Sequence, residues 1–250
     1  MDSIQIASIN RHKEKTDIFT FQEVLKFEKN LNINNYYSNI LGEIINILPE
    51  FEHHFSSRSI NHGPDGKLNF PVEFGQATFI KKRVKIFEQK EIFVYKSFNL
   101  MNKYFESGHV DFPSLILYSI LEKNNKKFVI LNFHGLWEPA PKHDTEHRLR
   151  QSQIIIDQMQ EFNAPIILAG DFNLRINTMS LKMFEDFGMR NLVKESGALT
   201  TRSSFYNKKW RTIDKHADYI LVTKNVLVKN FKVMRVKVSD HLPLLLKFEV

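Results

Sequence analysis

The 250-residue chain contains no cysteine, which excludes disulfide bridges and thiolate metal sites. It also lacks a run of about 18 apolar residues and a charged-then-apolar leader behind Met1, so the sequence offers neither a membrane span nor a secretion signal. No internal repeat or low-complexity segment is present. These absences are compatible with a reducing compartment, and the expectation is a cytoplasmic, monomeric protein. What the chain does have suits a single domain over residues 1–250, with a hydrophobic content of 42% to build the core. A formal charge of +7 and a pI near 9.4 favour polyanionic partners such as nucleic acid or anionic headgroups. A solvated lysine-rich surface would account for the same numbers.

The stretch Ala164-Pro165-Ile166-Ile167-Leu168-Ala169-Gly170-Asp171-Phe172-Asn173 is a short apolar run opened by proline and closed by Gly-Asp. It predicts a strand buried on both faces, with Asp171 and Asn173, two apart, projecting together from its exit. Gly170 would let something approach the backbone closely. Asp171 could merely start a turn, but the device recurs. Glu23 stands near the end of Asp17 to Val24 and His134 at the end of Lys127 to Gly135. Asp218 opens His216 to Val222, and Asp240-His241 closes Val236 to Pro243. Unpartnered buried charges are costly, so polar groups at the rims of apolar strands should converge on one another or on a cation.

Five motifs in order carry a resemblance: Phe21-Gln22-Glu23-Val24, Asn132-Phe133-His134-Gly135, Ala169-Gly170-Asp171-Phe172-Asn173, Ala217-Asp218-Tyr219 and Ser239-Asp240-His241-Leu242-Pro243. Together they resemble the endonuclease/exonuclease/phosphatase superfamily, the deoxyribonuclease-like phosphoesterases. The resemblance implies a four-layer α/β sandwich, two packed mixed β-sheets flanked by helices. It implies hydrolysis of phosphodiester bonds, with nucleic acid the favoured substrate, and a metal held by Glu23 and Asp240. Hard carboxylate oxygens suit Mg2+, with Mn2+ possible. The same resemblance assigns His241 to the scissile phosphate, oriented by Asp218, and makes Asp171 a general acid or base. Asn173 becomes a donor to the phosphate and His134 a group acting on the leaving side. His134 could equally be a satisfied core histidine.

Taken from its start, the chain allows two readings of its first residues. Ile4 to Asn10 could be the family's opening strand, but Arg11 to Thr16 is short for a parallel crossover, which needs about a dozen residues. The favoured reading is a helix over Asp2 to Lys13. It leaves out the first strand and the asparagine that would join the metal site, and with it goes the expectation that Met1 is an internal start preceded by about 20 residues.

Further along, apolar spacing predicts a helix over Tyr36 to Leu48, ended by Pro49. Phe51 to Phe70 reads as a polar loop over the active face, with His53, His54 and His62 as mobile-loop histidines. Phe74 to Phe87 and Glu91 to Phe98 read as one hairpin about a basic turn, Lys81-Lys82-Arg83, and Ser114 to Leu121 with Lys127 to Phe133 as a second. Helices are expected over Asp144 to Phe162 and Thr178 to Phe187. Lys194 to Lys209 is expected as a loop whose Thr200, Thr201, Arg202 and Tyr206 could line a groove, with Arg202 or Arg211 available to phosphate. Strands over Phe231 to Val238 and Leu242 to Phe248 would complete the sheets. The rival to an enzyme is a catalytically silent polyanion-binding module on the same fold. Lipid or sugar phosphates are the alternative substrates.

Overall fold

The protein, seen as a computed structural model, is described over residues 12–29, 31–33, 36–64, 66–101, 110–138 and 142–250. Both readings of residues 2 to 10, and with them Asn10, lie outside the described residues. Only the tail of the expected helix is described, where Lys13–Lys15 form a single 3-10 turn.

In chain order the first half supplies β1 (Ile18–Lys26), α1 (Ile40–Ile47), β2 (Phe51–Ile60), β3 (Glu73–Lys81), β4 (Lys85–Tyr95), β5 (Ser114–Lys123) and β6 (Lys126–His134). The second half adds α2 (Glu146–Gln160), β7 (Ile166–Asp171), α3 (Met179–Asp186), β8 (Met189–Asn191), α4 (Leu192–Glu195), α5 (Lys208–Arg211), β9 (Asp218–Thr223), β10 (Leu227–Val233) and β11 (Leu244–Glu249). Among the described residues, one sheet runs β1-β3-β2 with antiparallel pairs, and a larger mixed sheet runs β8-β9-β7-β6-β5-β4. A separate ribbon joins β10 to β11.

Alternation along the large sheet's strands builds the layers. Val129, Leu131, Phe133, Leu168, Tyr219 and Leu221 pack with Ile155, Met159 and Phe184 of the covering helices α2 and α3. Their neighbours Phe128, Ile130, Ile167, Ala169, Ile220 and Val222 meet Ile80 and Val84 from the smaller sheet's side. That sheet's outer face is closed by α1, where Leu41, Ile44 and Leu48 pack on Val24, Phe51, Ala77 and Phe79. The order is therefore helix, sheet, sheet, helices, the expected four-layer sandwich.

Several local expectations are corrected. Phe51 to Ile60 is a strand, not a loop, because pairing with β3 uses backbone and does not require apolar side chains. Phe51 and Phe55 still pack toward α1, while His54 pairs with Glu91 at 3.6 Å and His53 stacks on Phe79. β3 and β4 do not form a hairpin. β3 already has β1 on one edge and β2 on the other, so the chain has no free edge there and crosses through Lys82-Arg83-Val84 into the large sheet. The helix expected from Tyr36 starts at Ile40, where the Asn39 side chain accepts from Gly42 N and sets the cap. Tyr36–Tyr37 instead pair with Asn32–Ile33. The expected loop from Lys194 is bracketed by the single turns α4 and α5, and the strand expected from Phe231 to Val238 runs Leu227–Val233. The hairpin of β5 and β6 stands as expected, and Asn124 and Asn125, with φ of 54° and 60°, make the tight turn its twist requires.

Candidate active site

Strand register places three of the predicted residues in one row. His134 on β6 is paired with Asp171 on the parallel β7, and Asp171 with Asp218 on the antiparallel β9. Cross-strand partners point to the same face, so all three look toward the smaller sheet from the end of the large one. Gly170 allows the row to close up. Its φ is 147°, and a Cβ there would lie 1.9 Å from the Phe133 carbonyl oxygen, which is the close approach its position suggested.

Ser239-Asp240-His241 is brought to this row by backbone pairing with the segment before α5. Ser203 N donates to Asp240 O at 2.8 Å, and Leu242 N to Thr201 O at 2.8 Å. The result is a carboxylate-held imidazole: His241 Nδ1 is 2.7 Å from Asp218 Oδ1. On the other side of the ring Nε2 lies 3.7 Å from Asp171 Oδ2 and 3.6 Å from Asp240 Oδ2, and Arg202 Nη1 abuts it. Burial opposes protonation of His241, but Asp218, with help from Asp171, outweighs it and Arg202 and holds the imidazole up at about 9. A donating Arg202 requires the neutral ring, whereas the carboxylates favour the charged one. The two demands fall on the same nitrogen.

The smaller sheet contributes Glu23 and Arg58, both through β-bulges that flank Gly75-Gln76 of β3. On β1 the register slips between Phe21 and Val24, and Glu23 takes a left-handed φ of 56°. On β2 it slips between Ser57 and Ser59, leaving Arg58 as the extra residue. Asn132, buried on β6, locks this sheet to the other. It accepts from Gln22 Nε2 at 2.6 Å and donates to Ala77 O at 3.0 Å, while Gln76 Nε2 donates to its carbonyl at 2.8 Å. Glu23 is thus fixed by its neighbour Gln22 relative to His134, two residues beyond Asn132.

Asn173 does not continue the strand. β7 ends at Asp171, and Asn173 takes a φ of 53°, with its N–H donating to Asp171 Oδ1 at 2.8 Å. Asp171 therefore starts a turn, as one reading of the sequence had it, while its side chain stays in the row with His134 and Asp218. The Asn173 amide donates to Gly135 O at 3.1 Å and accepts from Lys142 Nζ. Burial lowers Lys142 to about 8, against the pull of Asp171. Burial alone would raise Asp171, but Lys142, His241 and Arg202 prevail and hold its carboxyl below the usual carboxylate range. His134 is kept neutral, by burial first and by Arg58 second, and its Nδ1 finds no hydrogen-bond partner among the described residues. Sequence reasoning missed Arg58 and Lys142. Each is a single basic residue in a polar stretch, and no periodicity marks it.

Two acid groupings could hold a metal. Ligand atoms of Asp171, Asp218 and His241 lie within 4.8 Å of one another, but Lys142 and Arg202 already balance that charge and Nδ1 is engaged by Asp218. The other grouping is Glu23 with Asp240. Burial in the cleft and the carboxylates of Asp171 and Asp240 push Glu23 up, against Arg58 and His241, although its residue is open to solvent. No hydrogen bond or ion pair holds the Glu23 carboxylate among the described residues. Asp240 keeps only longer contacts, 3.4 Å to Arg202 and 3.6 Å to His241, beside a hydrogen bond from Ser239, and hard carboxylate oxygens crowded by like charge suit a divalent cation, so this donor set fits Mg2+ or Mn2+.

An acid-flanked histidine thus stands at the open end of two packed sheets, with the carboxylates of Glu23 and Asp240 beside it. Over residues 4–241 the chain matches the Endonuclease/Exonuclease/phosphatase family and belongs to it. Members of that family are metal-dependent phosphoesterases, nucleases and phosphatases among them. Solved structures agree in fold. An endonuclease/exonuclease/phosphatase from Bacteroides vulgatus is 19% identical, with 99% of this chain and 90% of that one covered and a TM-score of 0.73. The mannosyl-6-phosphatase of Bacteroides thetaiotaomicron is 17% identical, with coverage of 99% and 91% and a TM-score of 0.69. The catalytic domain of human Nocturnin with bound sulfate is 17% identical, with coverage of 100% and 88% and a TM-score of 0.68. No curated protein matches the chain.

Proposed function

We propose that this protein is a divalent-metal-dependent phosphodiesterase acting on nucleic acid. The observation that carries the reading is His241, held by Asp218 on one nitrogen and facing Asp171 with the other, in line with His134 and beside Glu23 and Asp240. Glu23 and Asp240 would hold Mg2+ or Mn2+, which supplies positive charge against the phosphoryl oxygens. Asp171, kept ionised by its cationic neighbours, is suited to orient the attacking water as a hydrogen-bond acceptor, and would become the stronger base needed to take its proton once Lys142 or Arg202 turns away. When Arg202 turns toward a phosphoryl oxygen, His241 Nε2 is released to carry its proton to the same group, with Asp218 fixing the ring. Asn173, held by Gly135 and Lys142, keeps one amide hydrogen for the phosphate. Neutral His134 is suited to donate to the leaving oxygen.

Nucleic acid is favoured over other phosphodiesters by the loop that carries Arg202. Beyond Tyr206, whose ring lies 4.2 Å from the Arg202 guanidinium, Phe205 and Trp210 are exposed beside Lys208 and Lys209. Exposed aromatics interleaved with basic residues suit stacked bases and their phosphates.

The test is hydrolysis of bis-nitrophenyl phosphate and of single-stranded DNA and RNA, with and without Mg2+. Expected are metal-dependent cleavage of both, and a loss of orders of magnitude in Glu23→Gln without loss of fold. Trp210→Ala should weaken only the nucleic-acid reaction. Silence on every substrate would leave the polyanion-binding module, and unchanged turnover in Glu23→Gln at limiting Mg2+ would remove Glu23 from the metal site.

A further inference from the structure

The buried cations of the site differ in what they hold. Arg202 abuts His241 and lies 3.4 Å from Asp240, and Lys142 donates to Asn173. Arg58 is only 6% exposed, yet its guanidinium makes no ion pair and no hydrogen bond among the described residues, and its Nε is buried without an acceptor. Its flat group packs against two rings that meet edge to face, 4.3 Å from the Phe74 centroid and 4.9 Å from that of Phe112. Rings fix the plane but accept none of the N–H groups. Glu23 and Asp171 are near enough to stabilise its charge, which burial otherwise disfavours, but neither reaches it as a partner. The β2 ladder is interrupted at Arg58 to aim it there. A buried, unpaired charge on a pinned planar fork is expensive for stability alone and suited to one task, the two-point reception of a tetrahedral oxyanion.

We propose that Arg58 grips the non-bridging oxygens of the substrate's phosphoryl group and is a specificity-determining residue for that group. The assignment rests on the phosphodiesterase reading for its substrate, but the anion site itself does not require turnover. Lysine could supply the charge and not the geometry, because a lone ammonium cannot lie flat against Phe74 and Phe112 and offer two parallel donors at once.

The experiment is titration of the metal-free protein, in EDTA, with inorganic phosphate at constant ionic strength set by chloride, read by calorimetry and by Tm. Wild type should bind phosphate and gain Tm. Arg58→Met should fold with a Tm at or above that of wild type, since an unpaired buried charge is removed, and lose phosphate affinity on the order of 10- to 100-fold. Arg58→Lys should lose most of the same affinity, and it carries the test should Arg58→Met not fold. With substrate, Arg58→Lys should raise KM for phosphodiesters. Phosphate binding equal in wild type and the variants overturns the proposal, as does a wild type no more responsive to phosphate than to chloride. Phosphate binding through Arg58 without hydrolysis of any phosphodiester would instead defeat the functional reading and leave the anion site standing. Hydrolysis with variant-independent phosphate binding would do the reverse.

Discussion

Asp218 and His241 touch through two carboxylate contacts of 2.7 and 2.9 Å, so their contributions to turnover should not be separable. Asp218→Asn and His241→Ala are each expected to cut kcat strongly, and the double variant to lose little more than the worse single one. Additive losses in kcat would return Asp218 to a structural role. Lys142 gives a pH dependence whose sign follows from its low folded value. Below about pH 8 its ammonium holds Asn173 and helps keep Asp171 ionised. Above that pH the folded protein sheds this proton while the unfolded chain keeps it toward the ordinary 10.5, so the fold's own penalty for charging Lys142 is relieved as pH rises across that window. Activity should therefore fall through about pH 8 while stability does not. In Lys142→Arg the alkaline limb of kcat should disappear, and a limb unchanged in that variant would exclude Lys142 as its cause. The acids and histidines were legible as residues because they stand at the ends of apolar runs, where a charge is conspicuous. Arg58 was not, since it sits among Ser56, Ser57 and Ser59 in a stretch whose composition reads as loop.

Composition also misled at the level of elements. β2 carries His, Ser and Glu because its partner is backbone and its polar face meets Glu91, and β3 next to β4 mimics a hairpin that crowded edges forbid. Neither bulge is readable from spacing, since a slip of register leaves the residue order untouched. Gly75 is the one sequence mark of that region: a Cβ there would fall 1.9 Å from the Ser56 carbonyl oxygen, closer than any real contact. Gly75→Ala is expected to cost about 1–3 kcal/mol, the scale of forced overpacking, read as a lower urea midpoint. Because Gly75 lies between the bulges that present Glu23 and Arg58, activity at low urea should fall further than that loss of stability would explain. A variant as stable and active as wild type would mean the strands can separate there freely.

Across the molecule, the site belongs to neither sheet. Glu23 and Arg58 come from one and His134, Asp171 and Asp218 from the other, and Asn132 is a buried polar tie between them. Asn132→Leu would strand Gln22 Nε2 and the Ala77 carbonyl without their partner, at a cost of about 1–3 kcal/mol for each group left unsatisfied. Urea unfolding should show a lower midpoint with an unchanged slope, and kcat should fall even where the protein is fully folded, because Glu23 loses its reference to His134. An unaltered kcat would show that apolar packing alone sets the spacing. The four layers were foreseeable from the motifs, whereas this tie was not, because a buried asparagine in an apolar run looks like any strand residue.

The crossing at Lys82-Arg83-Val84 has one more consequence. Among the described residues, the three strands of the smaller sheet lie before it and the six of the larger after it, and Asp17 reaches over to Arg83 and Lys123 to clasp the two. The covalent link there tethers two interlocking halves, each holding part of the proposed site. Severed at that tether, the halves would be inert apart and complete only on reassembly, which makes the bend a natural place to turn this fold into a two-component reporter.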